Sequence, residues 1–350
     1  MNLLFIYSYS EDLGGIQKII RDLSKHFTKK GYNINIITRH RNYRKKKIEK
    51  KVFFDVFYFN LRNIFDLFFK KQKIIFCFEP VLPFLILSLF FKIFNKKIIL
   101  IFCGTQSELP KNKIYRKIKL FIYKFFDKTI YVSDYTMKTS LGDKINKFKN
   151  KEIIYPSVDF FSYNISDLKN DELVTLGRIS KRKDYISMLT MFSLLIKKRQ
   201  NIKLNIIGGL SDLRSRYFLE IKNKIKELNI SNNVNFFINT DEETKKKVLA
   251  RSKLYISTSK HEMFGIATVE AMASGLPVIA YDNTATSEIV KSAGGILVDD
   301  GNYEKMALLI NNLLNNDKEI IKMAKKSLEC FKKYNTKIML EKYDKIIKGF

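Results

Sequence analysis

The sequence predicts an α/β chain built from two doubly wound parallel-sheet domains in tandem. Three observations carry that expectation. Short apolar runs alternate with helical-period segments along nearly the whole chain, the pattern of a parallel sheet covered on both faces. The alternation fails once, at EIIYPSVDFFSYNISDLKNDE (Glu152–Glu172), which loses periodicity and holds Pro156. The 350 residues suffice for two domains of ordinary size.

In the first half, NLLFIYS (Asn2–Ser8) reads as a buried strand. GGIQKIIRDLSKHFTKKG (Gly14–Gly31) then places Ile16, Ile19, Ile20, Leu23 and Phe27 at helical spacing, with Gly31 as a stop. Further strands are expected at Asn33–Thr38, Val56–Phe59, Ile74–Phe78, Lys97–Phe102 and Lys128–Ser133. After the break, strands are expected at Glu172–Gly177, Lys203–Gly208, Asn233–Ile238, Lys253–Thr258, Pro277–Tyr281 and Gly295–Asp299. Leu340–Phe350 closes the chain as an amphipathic helix. The domains are therefore placed at 1–160 and 161–335. The last stretch, 336–350, is expected to return to the first domain. Open parallel sheets take ligands at the carboxyl ends of their strands, so a cleft between the two domains is the default site.

Composition narrows the class. Cys77, Cys103 and Cys330 are isolated, which argues against a disulfide framework or a zinc site and for a reducing compartment. The opening MNLLFIYSYSED lacks a basic leader, so no signal peptide is expected. The most apolar run, VLPFLILSLFF (Val81–Phe91), is too short to span a bilayer, which takes about 20 residues. Charge is the strongest signal, at +29 overall. Residues 1–150 hold 31 Lys+Arg against 11 Asp+Glu, and residues 151–350 hold 33 against 24. A compositional bias toward Lys, Ile, Asn and Phe would raise the total but leaves the imbalance unexplained. The first half is expected to face something anionic.

The densest chemistry lies in SKHEMFGIATVEAMASGLPVIA (Ser259–Ala280). A strand ends at Thr258, Gly265 permits a tight turn, and a small-residue helix runs to Gly275. Glu262 precedes that helix and Glu270 lies about one turn inside it. Between them, the amides from Phe264 through Gly265 and Ile266 to Ala267 suit an anion. Carboxylates beside a phosphate are poor phosphate ligands but good acceptors from hydroxyls. GRISKRKDY (Gly177–Tyr185) adds Arg178 and Lys183 beyond another strand, two cations fit for a diphosphate. Gly14–Gly15, at the first strand–helix turn, and IIGGLSD (Ile206–Asp212) are weaker signals of the same kind.

Order and spacing together resemble the family 4 (group 1) retaining glycosyltransferases, nearly throughout the chain. The resemblance rests on Gly14–Gly15, YPSVD (Tyr155–Asp159), Arg178 with Lys183 five residues on, and the E-x7-E pair Glu262 and Glu270 around FG. It implies the GT-B fold, two Rossmann-like doubly wound domains facing each other across a deep cleft. It also implies roles. Arg178 and Lys183 would hold the donor diphosphate and stabilise the leaving group. Glu262 would contact the donor sugar, while the backbone of Phe264, Gly265 and Ile266 meets sugar and phosphate. Glu270 would accept from the ribose. Gly14 and Gly15 would admit acceptor and phosphate. With no D-x-D in the chain, no obligatory divalent metal and no other cofactor is expected. The donor would be a UDP-sugar ahead of a GDP-sugar. Family members often carry a histidine after the strand matching KIILIF; here CGT puts Cys103 or Gly104 there, and no general base is evident. His26 reads as a surface or helix-packing residue, His40 as a solvated residue at a basic strand end, and His261 as a residue that shapes the loop before Glu262.

The basic segments RHRNYRKKKIEKK (Arg39–Lys51) and KNKIYRKIKLFIYKFF (Lys111–Phe126) interleave cations with aromatics. In the second, Ile114, Ile118, Phe121 and Phe125 share one helical side. That side reads either as the buried face of an ordinary helix or as a surface drawn to anionic lipid. With no zinc spacing and no recognised nucleic-acid fold, nucleic acid is not expected as a partner. The expected partners are thus a nucleotide-sugar donor, a glycan or lipid-linked acceptor and an anionic membrane. The expected place is the cytoplasm, peripheral on the inner face of the cytoplasmic membrane. The expected product is a bacterial surface glycan such as lipopolysaccharide or capsule. A nucleotide-sugar epimerase of the same fold and a non-catalytic membrane- or nucleic-acid-binding protein remain as alternatives.

Overall fold

A computed structural model describes residues 2–7, 15–38, 54–58, 72–159, 171–210 and 215–350. Gly14, His40 and the basic run 39–51 lie outside them. The chain divides into two compact units, Met1–Pro156 with Lys337–Phe350, and Ser157–Thr336.

Among the described residues the first unit holds seven parallel strands: β1 Asn2–Tyr7, β2 Asn33–Thr38, β3 Phe54–Tyr58, β4 Gln72–Phe78, β5 Lys97–Phe102, β6 Lys128–Tyr131 and β7 Lys151–Ile153. Their spatial order is β3-β2-β1-β4-β5-β6-β7. Helix α1 (Gly15–Lys29) links β1 to β2. Helices α2 (Leu82–Ile93), α3 (Lys113–Tyr123) and α4 (Asp134–Leu141) follow β4, β5 and β6. Crossovers are right-handed, so reversing direction at β1 puts α1 on one face and α2 and α3 on the other. Side-chain alternation along β4 agrees. Phe76 packs on Phe5 and on Phe27 of α1, whereas Ile75 and Cys77 share a core with Phe84, Leu85 and Phe91 of α2 and with Ile122 and Tyr123 of α3.

The second unit holds six parallel strands in the order β10-β9-β8-β11-β12-β13. They are β8 Glu172–Leu176, β9 Lys203–Gly208, β10 Val234–Ile238, β11 Leu254–Ser257, β12 Val278–Tyr281 and β13 Ile296–Val298. Around them lie α5 (Tyr185–Ile196), α6 (Arg216–Glu227), α7 (Glu242–Arg251), α8 (Ile266–Ala273), α9 (Thr284–Ser292), α10 (Tyr303–Leu314) and α11 (Asp317–Phe331).

The last helix, α12 (Thr336–Lys348), belongs to the first unit from Lys337 on. Tyr343 is buried beside Phe76, with ring centroids 6.2 Å apart. Asp344 accepts from His26 of α1 at 3.0 Å and from Lys30 at 2.5 Å. His26, read from sequence as a surface or helix-packing residue, is thus an anchor between the first and last helices.

Helix α3 corrects the idea of a buried apolar side. Ile114, Ile118, Phe121 and Phe125 are exposed. The buried positions are Lys119, Ile122 and Tyr123. The Lys119 ammonium donates to the Gln106 carbonyl at 3.0 Å, and burial pushes its pKa down to about 8.

Candidate active site

In each sheet the strand order reverses once, between β1 and β4 and between β8 and β11. The carboxyl ends on either side of such a reversal are where an open α/β sheet leaves room for a ligand. In the second unit, β8 runs into Gly177 and β11 into the segment that carries Glu262, so two of the sequence-predicted loops meet there.

Lys183 and Glu262 are joined. Lys183 Nζ donates to Glu262 Oε1 at 2.5 Å, with side chains only 14% and 13% exposed. Gly177 makes the contact possible. Its φ is +153°, and a Cβ there would stand 2.6 Å from Lys183 Cε, so the lysine runs across the bare glycine backbone. The Lys183 backbone is held in turn, because the buried Thr258 hydroxyl donates to the carbonyls of Lys183 and Asp184, each at 3.0 Å. Asp184 takes a left-handed conformation, caps α5 through Ser187, and pairs with Lys260 at 3.0 Å.

Glu262 is fixed at both ends. Ser259 Oγ donates to its carboxylate at 2.8 Å, and its own backbone N–H donates to Thr284 Oγ1 at 3.0 Å. Ala285 N–H returns to the Glu262 carbonyl at 3.2 Å. Burial alone pushes the Glu262 carboxyl up. The Lys183 ammonium, helped by Arg182 and the Ser259 hydroxyl, outweighs it and holds the carboxyl below its ordinary value.

Beyond Glu262 the chain buries Phe264 against Tyr334, with ring centroids 5.6 Å apart. Gly265 then enters the left-handed region at φ +103° as the N-cap of α8 and offers no side-chain cap. The first amides with acceptors inside α8 are those of Thr268 and Val269, both bonded to the Gly265 carbonyl. The N–H groups of Ile266 and Ala267 precede them at the positive end of the helix.

Glu270 sits one turn into α8, and its partner was not foreseen. Lys245 of α7 reaches its carboxylate at 3.0 Å while also pairing with Glu242. Burial pulls the Lys245 ammonium down, but Glu270 and Glu242 more than offset that and hold it above its ordinary value. Arg178 stands exposed at the head of the Gly177 loop.

In the first unit the corresponding reversal brings up another carboxylate that sequence reasoning missed. Glu79 follows β4, is buried, and holds a left-handed φ of 69°. Its Oε1 lies 1.5 Å from where a Gly104 Cβ would be, and Ile16 of α1 closes the same spot at 3.4 Å. Gly15 is the exposed first residue of α1. Cys103 does not stand in for a base. Its thiol is turned to the Ile101 carbonyl at 3.9 Å, and burial with the nearby Glu79 charge pushes its pKa well up.

The Glycosyl transferases group 1 family matches residues 159–330. Over these 172 of its 350 residues the chain is similar to the group 1 glycosyltransferases. The chain is 30% identical over 172 residues to the poly(glycerol-phosphate) alpha-glucosyltransferase of Bacillus subtilis, covering 49% of this chain and 24% of that one. It is 30% identical over 173 residues to the poly(ribitol-phosphate) alpha-N-acetylglucosaminyltransferase of Staphylococcus aureus, covering 48% and 33%. The chain thus spans a quarter to a third of the length of these two relatives. Among solved structures, Anabaena HepE in complex with UDP-glucose superposes over 100% of both chains with a TM-score of 0.81 at 16% identity. The fold is accordingly GT-B, with two doubly wound Rossmann-like units.

Proposed function

We propose that the chain is a retaining glycosyltransferase that moves a sugar from a nucleoside-diphosphate sugar to a hydroxyl of a glycan or lipid-linked acceptor in bacterial surface-polysaccharide assembly. The observation that carries this reading is the Lys183–Glu262 pair, set beside the open N-terminal amides of α8. Those amides, with Arg178 and Lys183, suit a diphosphate and the charge it gains as the sugar–oxygen bond breaks. Glu262 would meet the sugar and Glu270 the ribose hydroxyls, each as an acceptor. The diphosphate oxygen that leaves would take the acceptor proton, so the first unit need supply no base. Retention is supported by the two relatives above, whose names specify alpha linkages. A UDP-sugar donor is supported by the UDP-glucose bound to HepE.

The cations at the site replace a metal in this reading, so turnover should survive EDTA. Loss of activity with EDTA and its return with Mn²⁺ would overturn that part. The decisive experiment follows a thermal-shift panel of UDP-, GDP- and ADP-sugars with an assay for nucleoside diphosphate released on adding acceptor. A transferase releases it, and an epimerase converts the donor without doing so. The positive first half supports peripheral binding to an anionic membrane, where a lipid-linked acceptor would reside.

A further inference from the structure

Helices α2 and α3 each carry a stripe of large apolar side chains on the side away from the sheet. On α2 and its C-cap these are Ile86, Phe90, Ile93 and Phe94, exposed by 57%, 41%, 77% and 43%. On α3 and just beyond it they are Ile114, Ile118, Phe121 and Phe125, exposed by 72%, 45%, 60% and 45%. The spacings i, i+4, i+7 make each a continuous stripe. The two helices cover the same face of the sheet and bury their inner sides in one core. Lys92 of α2 pairs with Asp127, just past α3, at 2.6 Å.

We infer that the outer faces of α2 and α3 form one surface that enters the boundary between headgroups and acyl chains of an anionic membrane. Soluble proteins rarely leave so many large apolar side chains together in water, and such patches mark interaction sites. The surrounding charge selects the occupant. Residues 82–97 and 111–128 contain ten Lys+Arg and a single acid, Asp127. Lys113, Lys117 and Lys124 flank the α3 stripe and are exposed. An apolar stripe edged with cations matches a layer whose interior is apolar and whose surface is negative. A second copy docked on this face would oppose like charges. Long lysines can bury their stems beside the apolar groups while the ammonium stays with lipid phosphate. No helix among the described residues is long and apolar enough to cross a membrane, so the surface lies in the interface.

This inference deepens the lipid-facing part of the proposed function, and its test needs neither donor nor acceptor. The chain contains no tryptophan. Phe121→Trp therefore installs a single emitter on the stripe, and Leu308→Trp, on the exposed side of α10, serves as control. On phosphatidylcholine vesicles containing phosphatidylglycerol, the Phe121→Trp emission should shift to the blue and be quenched by lipids brominated on the acyl chain. The control should do neither. Ile93→Ser with Phe125→Ser should lower the vesicle-bound fraction about tenfold while leaving the circular dichroism spectrum unchanged. Binding that salt fully reverses, with an unshifted Phe121→Trp, would overturn insertion while leaving peripheral attachment standing. A self-association in vesicle-free solution that the double serine variant abolishes would assign the face to a second copy instead. In either case, release of nucleoside diphosphate reports separately on transfer.

Discussion

Lys183 meets Glu262 by crossing Gly177: its Cε occupies space that a side chain at 177 would need, and its Nζ ends 2.5 Å from the carboxylate. Two segments 79 positions apart in sequence are therefore interlocked at the carboxyl ends of β8 and β11.

Gly177→Ala should break that lock. The added methyl would displace Lys183, and the backbone would be held at a positive φ at a cost of about 1–3 kcal/mol. Nucleoside diphosphate release should fall about tenfold or more. A urea titration should show a modest drop in midpoint, with the spectrum of the folded state intact. Wild-type turnover in Gly177→Ala would show that the crossing has no functional weight.

Lys183→Met takes the hydrogen-bonded ammonium from Glu262 and leaves it the Ser259 hydroxyl and the Arg182 charge, at a cost of about 1–3 kcal/mol, and should lose donor-induced thermal stabilisation. The pH dependence follows from the depressed carboxyl. A carboxylate whose folded pKa lies below its unfolded value contributes stability above the ordinary value of 4.5 and loses it as pH falls through the folded value. Glu262→Gln should therefore narrow the stability gap to wild type on acidification through that window. A constant gap across it would count against the pairing.

Lys119 should act in the opposite sense. Its folded pKa is about 8 against 10.5 in the open chain, so between those values the unfolded chain binds more protons. Stability from this residue rises with pH through that interval. Chemical denaturation of Lys119→Met across the same interval should lack that increment. Parallel slopes for the two proteins would refute the assignment.

If the first unit takes the acceptor, Gly104→Ala should act on acceptor use alone. A Cβ there cannot coexist with the Glu79 carboxylate at its present position. Donor-induced thermal stabilisation should remain at wild-type level while acceptor-dependent release falls about tenfold. Equal loss of both would instead indicate a disrupted first unit.

The fold was legible wherever burial fixed a residue's surroundings. The inner strands β9, β8, β11 and β12 of the second sheet stand out as apolar runs because nearly all of their residues are buried. Strand β7 did not, being three half-buried residues at the edge of its sheet. For α3, the period located the apolar stripe but not its direction. A 3.6-residue repeat says which residues share a side and nothing about what covers it. At the site, Gly177, Lys183, Glu262, Gly265 and Glu270 were readable from local spacing. Ser259, Lys245, Thr284 and Glu79 were not. Their importance comes from neighbours supplied by the folded chain, such as Lys245 to Glu270 across 25 positions.

Helix α12 has a consequence for how the protein is made. Because Tyr343 and Asp344 complete the packing around Phe76 and His26, the second unit is in effect an insertion within the first. The half that leaves the ribosome first must wait, with one face of its sheet covered by α1 but not yet by α12, until that helix emerges. The half synthesised later can close before it. Chaperone demand should therefore concentrate on the early half, and removal of α12 should expose that half to proteases while sparing Ser157–Thr336.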